Sequence, residues 1–230
     1  MVNVTYRSTQ TEILDEPHLP FEDVIQCMKE LNSINTLLGG HAITKVAVKQ
    51  FLKNNSNKPI QICEIGCGGG DNLAAIDSIK NKPTTTYIGI DLIEACTAFA
   101  ASQYPQLPAK WIASDYSKVI FEKKPTLIFS SLFCHHFSDE HLVTMLQWMY
   151  HNSEQGFFIN DLQRHPIAYH LIKWLTKIFS KSYMVKNDGP ISVTRGFKRK
   201  EWEILFQKAG IQQYKIHWKW AFRYLIICKK

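Results

Sequence analysis

The chain has no long apolar run, no CxxC pair of cysteines and no apolar signal core among its first 20 residues. A membrane-spanning helix needs roughly 18 or more consecutive apolar residues, so no such helix is predicted. The polar N-terminal residues indicate that the chain is not secreted by a cleaved signal. We expect the six scattered cysteines to be reduced, mostly buried thiols, and the protein to be cytoplasmic.

Internal repeats and low-complexity tracts are also lacking. The 230 residues are 45% hydrophobic and 20% charged, which is an ordinary globular composition. A chain of this length can bury a core large enough to be stable without a disulfide or metal staple. We therefore expect one large domain, with at most a small addition.

The net charge of +7 is unevenly distributed. Residues 111–230 hold 18 of the 27 Lys and Arg residues, but only 9 of the 20 Asp and Glu residues. A basic half is compatible with nucleic acid, an anionic membrane surface, an acidic substrate or a merely solvated surface.

Short apolar strands alternate with helical patterns from about residue 41 onward. The pattern predicts strands at 60–65, 86–90, 111–113, 127–132, 156–162, 211–218 and 222–228. It predicts helices at 21–38, 41–53, 71–79, 92–102, 139–151, 167–182 and 200–209, the last ended by Gly210.

This alternation favours an α/β fold. We expect a Rossmann-like, seven-stranded, mostly parallel sheet with helices on both faces and a C-terminal antiparallel hairpin. Residues 1–40 precede the alternation and are interpreted as an N-terminal helical cap on a domain at 41–230. Within that domain, residues 163–197 are interpreted as a substrate lid.

The glycine-rich turn at residues 62–73 is the most informative segment. Glycines allow a sharp turn and a close approach of a ligand to the main chain. A dinucleotide fingerprint starting at Gly66 requires glycine at position 71, where Asp71 stands and would repel a pyrophosphate. No Gly-Lys-Ser/Thr follows either, so the turn is not a Walker loop. The pattern is acidic-x-G-x-G-x-G, from Glu64 to Gly70.

This pattern resembles the motif of the class I S-adenosylmethionine (SAM)-dependent methyltransferases. An acidic strand end suits SAM, which carries an ammonium and a sulfonium but no phosphate. The resemblance implies that Asp91 binds the ribose hydroxyls, that Asp115 and Tyr116 meet the adenine, and that Ser130 and Ser131 touch the methionine part. The cofactor contacts that it implies are Glu64, Gly66, Cys67, Gly68, Gly70, Asp91, Leu92, Asp115, Tyr116, Ser130 and Ser131.

The resemblance places the methyl acceptor beneath the N-terminal cap and the segment after the fifth strand. Asp161, Arg164 and Arg195 are the candidates for binding the acceptor. A hydroxyl or acidic carbon must also lose a proton, and histidine is the natural base at neutral pH. His136, His135 and His165 are therefore the catalytic candidates, and the choice among them stays open. Cys134, His135 and His136 are contiguous rather than spaced as metal ligands, so no metal is expected.

Within the class, the sequence looks most similar to small-molecule methyltransferases of the ubiquinone and menaquinone biosynthesis type. Residues 37–41 and 188–195 are similar to bacterial relatives associated with polyketide or aromatic pathways. The function predicted is methyl transfer from SAM to oxygen or carbon of a small, largely apolar or aromatic acceptor, with S-adenosylhomocysteine (SAH) as product.

Two other functions remain open. One is a nucleic-acid (RNA) methyltransferase, although the fourth strand lacks the Asn/Asp-Pro-Pro-aromatic turn and the Pro-Cys nucleophile of such enzymes. The other is a SAM-binding partner protein without transfer activity. The amphipathic helix at 167–182, with lysines at 173, 177 and 181, is interpreted as a lid over the acceptor or a peripheral membrane contact.

Overall fold

The strands of the predicted sheet are present in the computed structural model, which describes residues 2, 4–16, 18–52 and 58–230. Within these residues the strands are β1 (Ile60–Ile65), β2 (Thr85–Asp91), β3 (Ala109–Ala113), β4 (Leu127–Ser131), β5 (Gly156–Leu162), β6 (Tyr214–Lys219) and β7 (Arg223–Lys229). They form one sheet in the order β3-β2-β1-β4-β5-β7-β6. The first five strands are parallel, and β7 runs antiparallel to both β5 and β6.

Helices cover the sheet and its carboxyl edge. They are α1 (Phe21–Leu37), α2 (Gly40–Leu52), α3 (Asp71–Asp77), α4 (Glu94–Gln103), α5 (Asp139–Asn152), α6 (Pro166–Phe179), α7 (Tyr183–Arg195) and α8 (Arg199–Lys208). Among the residues that the structure describes, no helix is both long and apolar enough to span a bilayer. The predicted α/β architecture with its terminal hairpin is confirmed.

The local sequence explains several helix ends. The Ser138 hydroxyl accepts the His141 N–H at the start of α5, and two acidic residues follow it in the first turn. Pro166 occupies the first turn of α6, where its missing N–H costs nothing. Gly210 adopts φ +74° directly after α8, as predicted for a left-handed cap.

The core lies on both faces of the sheet. On one face, Met145 and Leu146 of α5 pack with Trp202 and Phe206 of α8. On the other face, α2 and α3 contribute their apolar side chains to a second buried cluster. The central strands β1, β4 and β5 are buried almost throughout, which explains their continuous apolar character.

The prediction of a single helix over residues 167–182 was wrong, whereas the interpretation of 163–197 as a substrate lid stays a prediction. The helix predicted over 167–182 ends at Phe179, and a second helix, α7, begins at Tyr183 behind the Ser182 cap. Gly189 and Pro190 lie inside α7, and such residues weaken the helical signal in the sequence. Packing of α7 against α6 and α1 overrides this local preference. The predicted helix end at residues 54–57 lies outside the described residues.

Candidate active site

A cavity of about 890 Å³ lies at the carboxyl edge of the sheet, where β1, β2 and β4 end. Open parallel sheets bind ligands at this edge, and the volume falls within the range of roughly 300–1,000 Å³ that is usual for small-molecule sites. The glycine turn and the ends of the strands form its floor. Helices α1, α6 and α7 and the turn between β6 and β7 form mostly apolar walls, which include Met28, Leu31, Ile34, Leu171, Leu175 and Trp220.

The glycine turn presents bare main chain to this cavity. Gly66 and Gly68 adopt φ values of +67° and +49°, which side chains other than glycine rarely adopt. A Cβ atom on Gly66 would lie 2.1 Å from the Phe133 ring, and one on Gly68 would lie 3.2 Å from Met28 Sδ. Gly70 lies outside the cavity lining and packs against Trp111, so its role is to let α3 begin.

The carboxylate of Asp91 organises the same turn. Its Oδ2 atom accepts the Gly68 N–H at 2.8 Å, and its Oδ1 atom accepts the Ile93 N–H at 3.0 Å. Burial raises the pKa of Asp91, and these two hydrogen bonds partly offset that rise. Asp91 and the exposed neighbour Leu92 both line the cavity.

Asp115 and Tyr116 line the cavity at the end of β3. Asp115 caps a short 3-10 helix and accepts the backbone N–H and the hydroxyl of Ser117. The backbone hydrogen bond from Ser117 is the main cause that lowers the pKa of Asp115. Tyr116 is buried edge-on against Phe137 and Trp148. The two residues that were predicted to meet adenine therefore lie side by side at one end of the cavity.

The two serines at the end of β4 point in different directions. Ser131 lines the cavity, and its hydroxyl lies 3.4 Å from Asn160 Nδ2. Ser130 lies outside the cavity lining, buried against the thiol of Cys134 at 3.3 Å. Because successive strand residues face opposite sides of a sheet, only one of the two can reach the ligand edge directly.

Glu64 is completely buried beneath the glycine turn, outside the cavity lining. Its Oε1 atom accepts the Asn72 side-chain N–H at 3.0 Å, while Oε2 has no hydrogen-bond partner among the described residues. Burial and, next, the charge of Asp71 raise the pKa of Glu64 well above its ordinary value. A cation bound nearby would stabilise the ionised form of this carboxyl group. Cys67 of the same turn lines the cavity and is buried.

A histidine–aspartate pair lies at the other end of the cavity. His135 is in a short 3-10 turn after β4, and its Nδ1 atom lies 2.7 Å from Asp161 Oδ1 at the end of β5. Although burial raises the pKa of Asp161, the charge and hydrogen bond of His135 lower it overall. Asp161 is therefore an ionised acceptor, and the Nδ1 atom of His135 is positioned to donate to it.

An acidic residue from the N-terminal segment covers this pair. Glu12 Oε1 lies 3.6 Å from His135 Nε2, and Glu12 Oε2 lies 3.9 Å from His136 Nε2. His136 Nδ1 lies 2.9 Å from Asp15 Oδ1. Burial raises the pKa of Glu12 to about 7, although the charge of His136 and a hydrogen bond from Ser192 oppose the rise. His135, His136 and Glu12 all line the cavity.

Arg195 lines the cavity, but its guanidinium is used in holding the histidine turn. It donates to the carbonyl oxygens of His135, His136 and Gln10. Asp161, unlike Arg195, is absent from the cavity lining. It contacts the cavity only indirectly, through its hydrogen bond with His135.

Arg164 and His165 lie outside the cavity lining, in contrast to the sequence-based expectation. The buried guanidinium of Arg164 pairs with Glu201 and donates to three backbone carbonyls, so it ties the N-terminal segment to α8. His165 accepts the Ile167 N–H at the start of α6 and stacks on Phe222. Both residues stabilise the fold around the site.

Several residues at the site were not predicted from the sequence. Glu12 and Asp15 belong to a segment with no periodic pattern, and Arg223 belongs to a strand that was predicted only as sheet edge. Asn35 and Met28 project from α1 into the cavity. Only the assignment of residues 1–40 as a cap pointed toward this part of the chain.

Residues 62–156 match the family model described as "Methyltransferase domain". No curated protein matches the chain. Among solved structures, the plantazolicin methyltransferase BpumL in complex with SAH is 17% identical with a TM-score of 0.64, over 91% of this chain and 95% of that chain. A SAM-dependent methyltransferase from Aquifex aeolicus is 14% identical with a TM-score of 0.62, over 92% of this chain and 99% of that chain.

Human N-acetylserotonin methyltransferase in complex with SAM is 15% identical with a TM-score of 0.64, over 92% of this chain. The chain spans only 56% of the length of that enzyme. The likeness to quinone-biosynthesis enzymes in particular stays a prediction. The chain has the fold of these methyltransferase structures, and its residues 62–156 match the methyltransferase family model.

Proposed function

We propose that the protein transfers a methyl group from SAM to oxygen or carbon of a small, largely apolar or aromatic acceptor. One observation carries this proposal. A single cavity with mostly apolar walls is lined by the glycine turn, by Asp91 and by the buried His135, whose Nδ1 atom contacts Asp161. A nucleoside site and a site for proton removal therefore share one enclosed space.

The residues present fit the cofactor. Asp91 lies where a ribose would be bound, and Asp115 with Tyr116 would flank the adenine. Gly66 and Gly68 line the cavity without side chains of their own, so their main chain would face the amino-acid tail. Glu64 lies outside the cavity lining, so its carboxyl group would act on a cationic ligand through its charge and not by direct contact. When bound, SAM supplies a methyl group already activated by its sulfonium, so proximity and alignment supply much of the acceleration.

The histidine pair would deprotonate the acceptor. Asp161 holds the Nδ1–H of His135, so the Nε2 lone pair can take a proton from a hydroxyl group or an acidic carbon. Asp161 also stabilises the imidazolium that results, since its carboxylate is already ionised. His136 presents its own Nε2 atom beside that of His135 and is the second candidate base.

The N-terminal segment excludes water from this end of the cavity. Arg7 donates to the carbonyl oxygens of His135, Phe137 and Arg195, and it pairs with Asp139 at 2.8 Å. His135 is consequently 2% exposed. A shielded imidazole interacts more strongly with its charged partners than one in water.

The chemical class of the acceptor is inferred from the side chains that form the cavity walls. Their aliphatic and aromatic side chains favour an apolar or aromatic molecule, of quinone or polyketide type, over a nucleic-acid strand. The similar structures described above include enzymes named for plantazolicin and N-acetylserotonin, which is compatible with a small or peptide acceptor. A cytoplasmic location is part of the proposal.

A product screen tests the proposal. The protein is incubated with SAM and, separately, phenols, quinones, polyketide acids and RNA, and methylated products and SAH are measured by mass spectrometry. We expect SAH formation that depends on an apolar or aromatic acceptor. Methylation of RNA alone would favour the nucleic-acid alternative. Tight SAH binding without turnover of any acceptor would favour a partner protein.

A further inference from the structure

A buried arginine lines the cavity, and two of its nitrogen atoms lack hydrogen-bond partners among the described residues. Arg223 is 2% exposed at the start of β7. Its Nε and Nη1 atoms have no hydrogen-bond partner among the described residues, and it forms no ion pair with them. A guanidinium remains protonated in proteins, so a full positive charge lies in this low-dielectric position.

The charge of Asp161 offsets part of the charge of Arg223, but the two side chains form no hydrogen bond with each other. Asp161 is the carboxylate whose charge acts on it, but the oxygens of Asp161 accept hydrogen bonds from His135 and from the Leu162 N–H. Asn35 lies on the other side, with its Oδ1 atom also unpartnered. A Cβ on Gly40 would lie 3.0 Å from Arg223 Nη1 and would collide with Asn35 Oδ1, so glycine at this position makes room for both groups.

Such a charge is costly unless a ligand pairs with it. Burying an unpaired ion costs several kcal/mol, whereas a guanidinium and a carboxylate match each other with two parallel hydrogen bonds. We propose that Arg223 is the subsite for a carboxylate group of a ligand. The inference rests on the proposed function, because the carboxylate belongs either to the amino-acid end of SAM or to the acceptor.

The free acceptor atom nearby is suited to the first source. An amino-acid end carries an ammonium beside its carboxylate, and Asn35 Oδ1, which lies with Arg223 Nη1 around Gly40 in the cavity lining, is an unpartnered acceptor. A methyl acceptor with a carboxylate but no ammonium would need only Arg223 and no acceptor atom beside it. If the carboxylate belongs to SAM, the affinity for SAM or SAH depends on Arg223. If it belongs to the acceptor, the affinity for the acceptor depends on Arg223.

Calorimetry with two nucleosides tests the first source. SAH and 5′-methylthioadenosine share the nucleoside, but only SAH has the amino-acid end. In the Arg223→Gln variant we expect SAH affinity to fall by roughly 10-fold or more, which corresponds to a lost charge-assisted pair, while methylthioadenosine affinity stays within about 2-fold. Arg223→Lys should retain part of the SAH affinity. Arg199→Gln, which removes an exposed arginine, is the matched control.

A second arm tests the acceptor. Benzoic and cinnamic acids are titrated beside their amides, with SAH present, into the wild-type protein and Arg223→Gln. If the carboxylate belongs to the acceptor, the variant loses affinity for the acids only. Unchanged affinities in both arms, with each variant folded by circular dichroism, would overturn the inference. Failure of the wild-type protein to bind SAH would instead contradict the proposed function. In that case the titrations with the acids and their amides decide whether Arg223 binds a carboxylate.

A different observation concerns the outer surface of α6. Ile167, Leu171, Trp174 and Ile178 lie one helical turn apart and are 56%, 49%, 59% and 51% exposed. Ala168, Ile172 and Thr176 on another face of the helix point into the protein. The four residues therefore form an apolar stripe in solvent, which is unusual for a helix that already has a buried face.

The stripe continues to the mouth of the cavity. Leu171 lines the cavity, as do Trp218 and Trp220 of the β6–β7 turn, which are 55% and 73% exposed. Lys173, Lys177 and Lys181 are exposed beside the stripe. Apolar and tryptophan side chains with flanking lysines are the composition of helices that lie in the interface of an anionic membrane.

We infer that this face docks on an anionic membrane surface, so that a lipophilic acceptor can enter the cavity from the bilayer. A second copy of the chain is the less favoured occupant, because the three lysines would then approach a like-charged partner. Each lysine near such a membrane adds to the electrostatic attraction.

Vesicle sedimentation tests this surface. We expect the protein to bind phosphatidylcholine vesicles containing phosphatidylglycerol, to bind pure phosphatidylcholine weakly, and to be released by salt. Trp174→Glu with Ile178→Glu should abolish binding, whereas Ile204→Glu, which changes a comparably exposed apolar residue of α8, should not. No binding to anionic vesicles would overturn the inference. So would a dimer in light scattering that the paired substitution dissociates.

Discussion

The carboxylate of Glu12 faces the imidazole of His135 across 3.6 Å, although Glu12 comes from the N-terminal segment and His135 follows the fourth strand. The other side of His135 is bonded to Asp161. The ring therefore lies between two acidic residues, of which Asp161 is ionised and Glu12 has a pKa of about 7. Glu12, His135 and Asp161 therefore form a chain of side chains between which a proton can move, and Glu12 and His135 line the cavity.

Glu12 should make stability depend on pH. Burial raises its pKa from 4.5 to about 7 in the fold, against the lowering effect of the charge of His136. The protonated form is favoured in the fold, so its contribution is complete below about pH 4.5 and is lost as the pH rises through about 7. In Glu12→Gln, the free energy of unfolding relative to wild type should rise between pH 5 and pH 8, by at most about 3 kcal/mol.

Urea unfolding at the two pH values measures this difference. Glu122→Gln, which removes an exposed carboxylate, should show no such change. A difference between Glu12→Gln and wild type that is the same at pH 5 and pH 8 would contradict the raised pKa of Glu12.

Replacing His135 should separate chemistry from cofactor binding. With an acceptor found in the product screen, His135→Asn should lower kcat by roughly 10²–10⁴-fold, the usual contribution of a general base. SAH affinity by calorimetry should be little changed. His165→Asn is the matched control, because His165 lies outside the cavity and asparagine can also cap α6. Equal losses in the two variants would refute the assignment of His135.

Asp91 should contribute to cofactor affinity. We expect Asp91→Ala to weaken SAH binding by about 1–3 kcal/mol, because a charge-assisted hydrogen bond to the ribose is lost. The same variant also frees the Gly68 and Ile93 N–H groups, so its thermal stability is measured in parallel. Asp115→Ala, at a more exposed carboxylate, serves for comparison. Unchanged calorimetric affinity in Asp91→Ala would count against the ribose assignment.

Gly68 should tolerate no side chain. Its φ of +49° is unfavourable for other residues, and a Cβ would press on Met28 Sδ at 3.2 Å. We expect Gly68→Val to abolish SAH binding. Gly210→Val is a control for the backbone conformation alone, because Gly210 has φ +74° but no atom within 4 Å of its Cβ position. Normal SAH binding by Gly68→Val would show that no ligand approaches this turn.

Chelators should leave activity unchanged. Glu12, His135 and His136 each place one potential ligand atom within 4.8 Å of the others, and this is the set of described residues that comes nearest to a metal site. We expect a proton rather than a metal between them, since Glu12 ionises only near neutral pH. Turnover after dialysis against EDTA, with metal content measured by mass spectrometry, decides this. Loss of activity that a divalent ion restores would be the contrary result.

The sequence by itself was sufficient for the fold and for the glycine turn and Asp91 that line the cavity. The strands from 60–65 to 222–228 are short apolar runs whose period and flanking turns are local properties. The glycines at 66 and 68, with Asp91 at the next strand end, likewise follow from positions that a parallel sheet brings to one edge.

Only the tertiary structure decided which residues form the acceptor end. Glu12, His135, Asp161 and Arg223 come from four separate parts of the chain, and no local pattern relates them. Tertiary packing also turned Ser130, Arg164 and His165 away from the cavity and made a helix of residues 183–195 despite Gly189 and Pro190. Periodicity and turn chemistry act between neighbours in sequence, whereas burial and the pairing of charges depend on which distant segments meet.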